Sequence, residues 1–383
     1  MRVLVVHNRY RLEGGEERAV ELQLAALRRA GIAHALLERS SEEVSRRGAA
    51  RALWRGGRDE EDVAAAVREL EADVVHVHNM LPLFGPRSLA AAREAGATTV
   101  LQLHNLRLFC AIGVAARDGG PCFRCHHRFT LPGLALNCRG SLPEAAVYAA
   151  ALARHQPAVL DTVDRFVVPS RYAAGQVASL GLPAERVELV PHYLPSEAFA
   201  HHSRADEGLY ALVAARLSVE KGIDTAIEAS ARAAVPLRVA GTGPQAAQLE
   251  ELARRLGAPV KFLGRLDRPA LARELAGAAM LLLPSRYHEF AGYAALEAMA
   301  AGVPVVVSAL GAPPELAGQE RSMPPNDPDA LAERMTVLWE DPDLRGREGD
   351  AVLARAGDGH GEEAYIHSLR ALYQGLLAPV PSH

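Results

Sequence analysis

The stretch SRYHEFAGYAALEAMAAGVPVVVS, residues 285–308, is an apolar helical run that passes directly into an apolar strand. Two carboxylates interrupt it, Glu289 and Glu297, eight positions apart. On either side of it, short β-type runs alternate with segments rich in Ala, Leu, Arg and Glu, the pattern of parallel sheets covered by helices. In the second half of the chain the spacing predicts strands at 210–214, 237–240, 260–262, 280–284 and 303–308. The first half repeats the alternation, with strands predicted at 3–6, 35–37, 74–78, 99–104, 165–169 and 187–191 and helices at 16–30, 60–70 and 88–95. Between the halves, PSEAFAHHSRADEG (195–208) has no apolar periodicity and reads as a linker.

At 383 residues the chain is too long for one ordinary core. The expectation is therefore an α/β protein of two doubly wound, Rossmann-like domains facing each other across a cleft, residues 1–195 and 196–365. A closing helix, 366–383, follows; its pattern begins at Glu362, and its apolar face of Ile366, Leu369, Leu372, Tyr373 and Leu376 is expected to pack back on the first domain. In such sheets ligands bind beyond the C-terminal strand ends, so the chemistry is expected in the loops there.

With 49% hydrophobic and 23% charged residues the composition is that of a soluble globular protein. No run of about 20 uncharged apolar residues is present to span a bilayer. The opening MRVLVVHNRY is too short in its apolar part for a secretory signal, and a cytoplasmic protein is expected. Residues 1–195 carry 24 arginines against 21 acidic groups, and the remainder 18 basic against 25 acidic, which inclines the first half toward an anionic partner. Lys221 and Lys261 are the only lysines in an arginine-rich chain.

The strand at 210–214 is followed by ARLSVEKGID (215–224), which sets Arg216 and, five residues on, Lys221 at the mouth of a parallel sheet. A guanidinium fork and a point-charge ammonium together suit a diphosphate. VAGTGP (239–244) is a strand running into a Gly-rich turn at Gly241, where backbone can approach a ligand closely, and FLGRLDRPAL (262–271) places Gly264 at a third strand end. In the opening stretch, the loop through Glu289, Phe290, Ala291 and Gly292 leads into a helix containing Glu297. Free amides at that helix start suit phosphate or sugar oxygens, and carboxylates suit the paired hydroxyls of a sugar. A general acid/base pair, as in glycoside hydrolysis, is the rival use of two carboxylates; the neighbouring cations point instead to a phosphate leaving group.

In order and spacing, Arg216 with Lys221, Gly241–Pro244, Phe262–Gly264 and Glu289-x7-Glu297 followed by AMAAGVPVVVS resemble the C-terminal domain of retaining GT-B glycosyltransferases of family 4. The resemblance implies that Arg216 and Lys221 hold the donor diphosphate, that Glu289 meets the donor sugar, and that Glu297 meets the nucleotide ribose. The chain departs from the family's Glu-any-Phe-Gly, reading Glu289-Phe290-Ala291-Gly292. The first half also resembles the family: Gly14 and Gly15 precede a helix whose start approaches donor phosphates or acceptor, and His104-Asn105 stands where the family has His-Asp. His104 is thereby the candidate for positioning donor sugar or acceptor. His76 and His78 alternate on one strand and share a face, which makes them candidates for the acceptor site. Pro191-His192-Tyr193 replaces the family's Pro-Asn-Gly. The implied chemistry is metal-independent transfer of a hexose with retention: the donor phosphate acts as base, and Arg216, Lys221 and helix amides stabilise the leaving group. Uridine and guanosine donors (UDP, GDP) both fit.

All four cysteines, Cys110, Cys122, Cys125 and Cys138, fall in a loop-rich insert at 104–141 with spacing C-x11-C-x2-C-x12-C. In a cytoplasmic chain this is the ligand set of a structural zinc; two disulfides, inert thiols and an iron–sulfur cluster are the alternatives. The insert's Arg107, Arg117, Arg124, Arg128 and Arg139 suit an anionic or lipid-linked acceptor. The expected function is sugar transfer from a nucleoside diphosphate to an acceptor such as a polysaccharide or lipid precursor or a natural product, with peripheral contact at the inner membrane face and no nucleic-acid partner. A nucleotide-sugar epimerase of the same fold and a non-catalytic zinc-bearing module are the competing readings. A nicotinamide enzyme is disfavoured because neither first strand leads into Gly-x-Gly-x-x-Gly.

Overall fold

The most apolar runs of the sequence become inner strands buried on both faces, as a parallel sheet covered by helices requires. In the computed structural model, which describes residues 1–10 and 14–378, the chain divides into two compact units. The first takes Met1–Ala115, Cys122–His192 and the segment from Glu362; the second takes Ala116–Pro121 and Tyr193–Gly361. No helix among the described residues is long and apolar enough to cross a membrane.

From the N-terminus come β1 (Arg2–Arg9), α1 (Gly15–Arg29), β2 (Ala33–Ser40), α2 (Arg46–Arg55), α3 (Glu60–Leu70), β3 (Val74–Val77), α4 (Gly85–Glu94) and β4 (Thr98–Gln102). A short hairpin of β5 (Ala116–Arg117) and β6 (Gly120–Pro121) precedes α5 (Leu131–Ala135), α6 (Leu142–Thr162), β7 (Arg165–Val168), α7 (Arg171–Ser179) and β8 (Val187–Leu189). The chain continues with β9 (Ala211–Ala214), α8 (Ile223–Ala233), β10 (Leu237–Ala240), α9 (Ala246–Leu256), β11 (Val260–Gly264), α10 (Arg268–Ala276), β12 (Met280–Leu283) and α11 (Tyr293–Ala300). It closes with β13 (Val305–Ser308), α12 (Pro313–Ala317), β14 (Ser322–Met323), α13 (Pro328–Glu340), α14 (Pro342–His360) and α15 (Glu362–Leu377).

The first unit holds a parallel sheet of order β2-β1-β3-β4-β7-β8, and the second a parallel sheet of order β11-β10-β9-β12-β13-β14. Strand order reverses between β1 and β3 in one and between β9 and β12 in the other. At such a switch point the loops leaving neighbouring strands turn to opposite sides and open a crevice. The strands at the middle of the sheets are the most buried: every residue of β3, β12 and β13 lies out of solvent.

The strands at the sites end earlier than their sequence pattern suggests. β4 stops at Gln102 and β3 at Val77, so His104 and His78 lie in the turns beyond the strand ends rather than on them. The 21-residue α6 is not among the helices that the spacing predicts, because alanine surrounds its axis and leaves little amphipathic stripe to detect; it also contains Pro157. The C-terminal α15 groups with the first unit, where Tyr373 is fully buried.

Candidate active site

At the switch point of the second sheet, two loops meet. After β9 the chain runs through Arg216 and a short turn to Lys221 and Gly222, which caps the start of α8. After β12 it runs through Ser285 and Tyr287 to Glu289, then to Gly292, which caps α11. The loops are pressed together: a Cβ on Gly222, whose φ is +63°, would lie 2.0 Å from the carbonyl oxygen of Pro284. Only glycine fits there. The closeness lets Lys221 Nζ donate to Glu289 Oε1 at 2.9 Å and to the Tyr287 hydroxyl at 3.0 Å, while Ser285 donates to the same carboxylate oxygen.

This pair is nearly dry, with side chains 18% and 8% exposed for Lys221 and Glu289. Burial is the largest single influence and would lower the lysine's pKa, but the charge of Glu289 together with Tyr287 and the hydrogen bonds to both outweighs it and holds the ammonium above its ordinary value. Lys221 is therefore a fixed cation. Arg216 is the more open of the two expected phosphate ligands, its side chain 48% exposed; its Nη2 donates to Glu220 at 2.6 Å and its Nε to the Ser218 hydroxyl at 3.3 Å. Hydrogen bonds from Ser218 and Arg216 outweigh the burial of Glu220 and keep it ionised. The sequence reading treats the two cations as one clamp; in the structure each is paired with its own carboxylate.

The Gly-rich turn after β10 folds back on this loop. Gly241 N–H donates to the Gly264 carbonyl at 2.7 Å, joining the ends of β10 and β11, and Leu217 N–H donates to the Thr242 carbonyl at 2.9 Å. A Cβ on Gly241 would lie 1.9 Å from the Ala215 carbonyl oxygen. Phe290 is buried, Ala291 is half-buried, and Glu297 is half-buried on α11. Glu220, Ser285 and Tyr287 are members of this site that sequence reasoning missed, although all three lie inside the stretches it singled out.

The first unit gathers imidazoles at the C-terminal ends of its strands. His7 closes in from β1, His76 from β3, His78 and His104 from the turns after β3 and β4, and His192 from beyond β8. The rings of His76 and His78 stack with centroids 5.0 Å apart, His78 and His104 at 5.1 Å, and His104 and His192 at 5.9 Å. Burial, and then the neighbouring imidazoles, hold His78 and His104 well below the ordinary range, and burial takes His76 to about 3. All three are neutral near pH 7. The two histidines that the alternation placed on one face do share it, but they are buried among side chains: His76 Nδ1 lies 2.7 Å from the Tyr373 hydroxyl and 2.9 Å from Gln23 Nε2.

At the start of α1 the Gly14 N–H donates to Glu17 Oε2 at 2.7 Å. Glu16, half-buried beside it and bonded by Asn105, is pushed up to about 7 by desolvation, with Arg107 opposing the shift. The expected approach of phosphate to Gly14 and Gly15 thus meets a helix start that already carries two acids.

The expected zinc ligand set finds no support in the structure. Cys110, Cys122, Cys125 and Cys138 are half-buried and not joined in disulfides, the alternative to zinc in the sequence reading. Among the described residues no group of three or more His, Cys, Asp or Glu side chains is placed to hold a metal ion, so the tetrahedral zinc and cluster geometries are not assembled there. Each thiol sits on its own backbone turn, with Cys110 N–H bonded to Leu106, Cys122 to Ala115 and Cys138 to Gly133. The insert is ordered by these turns, the β5–β6 hairpin and α5. The thiols are still near enough to interact: burial, and then the other three sulfurs, push Cys125 up to about 11.

Residues 13–195 match the family model "Glycosyltransferase Family 4" and residues 196–352 match "Glycosyl transferases group 1". The two models together take in most of the chain, and the fold is that of the GT-B enzymes: the chain belongs to the family 4 glycosyltransferases. It is similar to the GDP-mannose-dependent alpha-(1-6)-phosphatidylinositol dimannoside mannosyltransferase of Mycobacterium tuberculosis, 40% identical over 139 residues, which are 34% of this chain and 36% of that protein's length. In structure it is similar to sucrose-phosphate synthase from Thermosynechococcus elongatus, with a TM-score of 0.74 at 19% identity over 98% of this chain and 99% of that one. It is also similar to Anabaena HepE, solved in complex with UDP, with a TM-score of 0.69 at 17% identity over 98% of this chain and 100% of that one.

Proposed function

We propose that this glycosyltransferase is a retaining enzyme that transfers a hexose from a nucleoside diphosphate without a catalytic metal. The observation that carries the reading is the buried bond from Lys221 to Glu289, which ties the two loops at the switch point of the second sheet. A fixed ammonium there neutralises the charge that builds on a departing diphosphate, and Arg216 adds a guanidinium that is free to swing from Glu220. Glu289 accepts from donor-sugar hydroxyls, Glu297 from the ribose, and the glycine turns at Gly241 and Gly264 bring backbone against the nucleotide. In the first unit, His104 meets a hydroxyl of the sugar or acceptor. Support for a nucleotide donor comes from the GDP-mannose-dependent relative and from the UDP-bound structural neighbour.

The acceptor proposed is lipid-linked. The solvent face of α2 carries Arg47, Arg51 and Arg55 exposed around Trp54, and Arg154 lies over the Trp54 ring at 5.4 Å. Cations around an amphipathic aromatic suit an anionic bilayer surface. Calorimetric titration with UDP, GDP, UDP-glucose and GDP-mannose tests the donor site. Tight binding of one nucleotide that weakens at least tenfold in Lys221→Ala and Arg216→Ala is expected, and unaltered affinity in both variants would refute the assignment. Flotation with phosphatidylglycerol vesicles, comparing wild type with the triple Arg47→Glu, Arg51→Glu, Arg55→Glu variant, tests the surface; equal flotation refutes it.

A further inference from the structure

Gln23, on α1, is completely buried, and its side-chain amide lies between two imidazoles and a phenol. Its carbonyl oxygen meets His78 Nε2; its nitrogen lies 2.9 Å from His76 Nδ1 and 2.9 Å from the hydroxyl of Tyr373 on α15. On the other side of the His78 ring, Nδ1 lies 3.0 Å from His104 Nε2. A neutral imidazole has one donor nitrogen and one acceptor nitrogen, so a row of hydrogen bonds through such rings has a direction.

That direction follows from the ends. A carbonyl oxygen only accepts, so His78 carries its proton on Nε2 and turns the lone pair of Nδ1 toward His104. His104 must then donate from Nε2, and the lone pair of its Nδ1 is left over. Among the described residues no group bonds to that nitrogen, and it is not among the atoms sealed from solvent. At the far end the Tyr373 oxygen accepts one N–H of the amide, and the second N–H shares the lone pair of His76 Nδ1 with the Tyr373 hydroxyl proton. Turned over, the amide would donate to His78 and reverse the row, the arrangement that a proton on His104 Nδ1 would reveal.

We propose that Gln23 and Tyr373 are positioning residues that lock His104 in the Nε2–H tautomer, so that its Nδ1 is a hydrogen-bond acceptor for a substrate hydroxyl. The use made of that lone pair rests on the reading of His104 as a substrate contact; the tautomer itself does not. The C-terminal helix, through one phenol, sets the hydrogen-bonding character of a ring three hydrogen bonds away. Polar atoms that touch no substrate orient the group that does, as in the outer shell of a metal ligand.

The test is long-range proton–nitrogen NMR on the full chain labelled with nitrogen-15 histidine, with the His104 signals assigned by His104→Asn. In wild type at neutral pH, His104 is expected to show an unprotonated Nδ1 and a protonated Nε2. Gln23→Met and Tyr373→Phe are expected to give a mixture of tautomers, whereas Gln23→Glu, which still accepts from His78, keeps the wild-type signals. Slow hydrolysis of UDP-glucose or GDP-mannose supplies the second readout: kcat falls about tenfold in Gln23→Met and Tyr373→Phe, the worth of one ordinary hydrogen bond, with KM for the donor nearly constant. A proton on Nδ1 in wild type, tautomers unmoved in both variants, or a changed tautomer with unchanged kcat would each overturn the proposal. Should neither nucleotide sugar be bound or hydrolysed by wild type, the functional reading fails, and the proposed use of the lone pair fails with it, while the tautomer signals still decide the lock. Circular dichroism and the remaining histidine signals separate a shifted tautomer from a misfolded variant.

Discussion

Replacing Glu289 by Gln removes a charge and little else, because the amide fills the same space and still accepts from Lys221 and Ser285. In wild type Lys221 sits above its ordinary pKa of 10.5 because Glu289, with Tyr287, outweighs burial. A lysine raised in this way contributes stability that is fully present below pH 10.5 and is lost only as pH rises through the folded value. Without Glu289, burial is the dominant influence left, and the lysine falls below its ordinary value. The variant then carries a penalty at pH 7 that is relieved as pH climbs toward 10.5. Removing one partner of a buried pair costs about 3–5 kcal/mol, and since Lys221 retains 18% exposure the lower end, about 3 kcal/mol, is expected.

The two tryptophans, Trp54 and Trp339, lie one in each unit, so in a Trp54→Phe background urea unfolding followed by Trp339 fluorescence reports the second unit alone. With a urea m value of about 2 kcal/mol/M, the midpoint should fall by about 1.5 M at pH 7, and the gap should narrow by pH 10. The control is Glu220→Gln, which breaks the more open pair with Arg216 and should cost no more than about 1 kcal/mol. Inorganic pyrophosphate should stabilise Glu289→Gln more than wild type, because the anion takes over the neutralising role. Equal midpoints at pH 7, or a deficit that does not change up to pH 10, would refute the account of Lys221 as an ammonium held in place by Glu289.

Gly222→Ala places a methyl group against the Pro284 carbonyl at a φ that disfavours side chains, so it should cost well over about 1 kcal/mol and weaken nucleotide binding; calorimetry with UDP and GDP checks the second effect. The first unit should be labile to acid. His76, His78 and His104 have depressed folded pKa values, so the stability from keeping them neutral is full above about pH 6.5 and is lost as pH falls, at about 1.4 kcal/mol per pH unit for each ring. Glu16, raised to about 7, works the other way as it takes up a proton between pH 7 and 4.5, offsetting about one ring. A net loss of about 2–3 kcal/mol between pH 6 and 5 should appear in unfolding followed by Trp54 in a Trp339→Phe background, and a flat profile would contradict the buried neutral stack. Cys125, pushed up to about 11, should be the slowest of the four cysteines to react with iodoacetamide at pH 8 by peptide mass spectrometry.

What could be read from the residues alone follows how far apart in the chain the interacting groups lie. The switch point of the second sheet was legible because strand ends, glycines and charges occur together in short stretches: Arg216 to Gly222 and Ser285 to Gly292 each lie within eight residues. Pairing was not, because composition does not say which carboxylate answers which cation, and Glu220 stands next to Lys221 yet bonds Arg216. The cysteines were legible as a cluster, but spacing along the chain gives proximity, whereas coordination needs sulfurs converging on one point, and among the described residues no such group is placed. The histidine row was the least visible. His76 and His78 announce a shared face by alternation, but their role depends on Gln23 and on Tyr373, which is 297 positions from His76. Nothing local marks a glutamine and a tyrosine as the two ends of a proton order. The same row that makes the first unit vulnerable to acid also fixes which nitrogen of His104 is left open, so burial, acid lability and a defined tautomer are one property of this sheet's C-terminal edge.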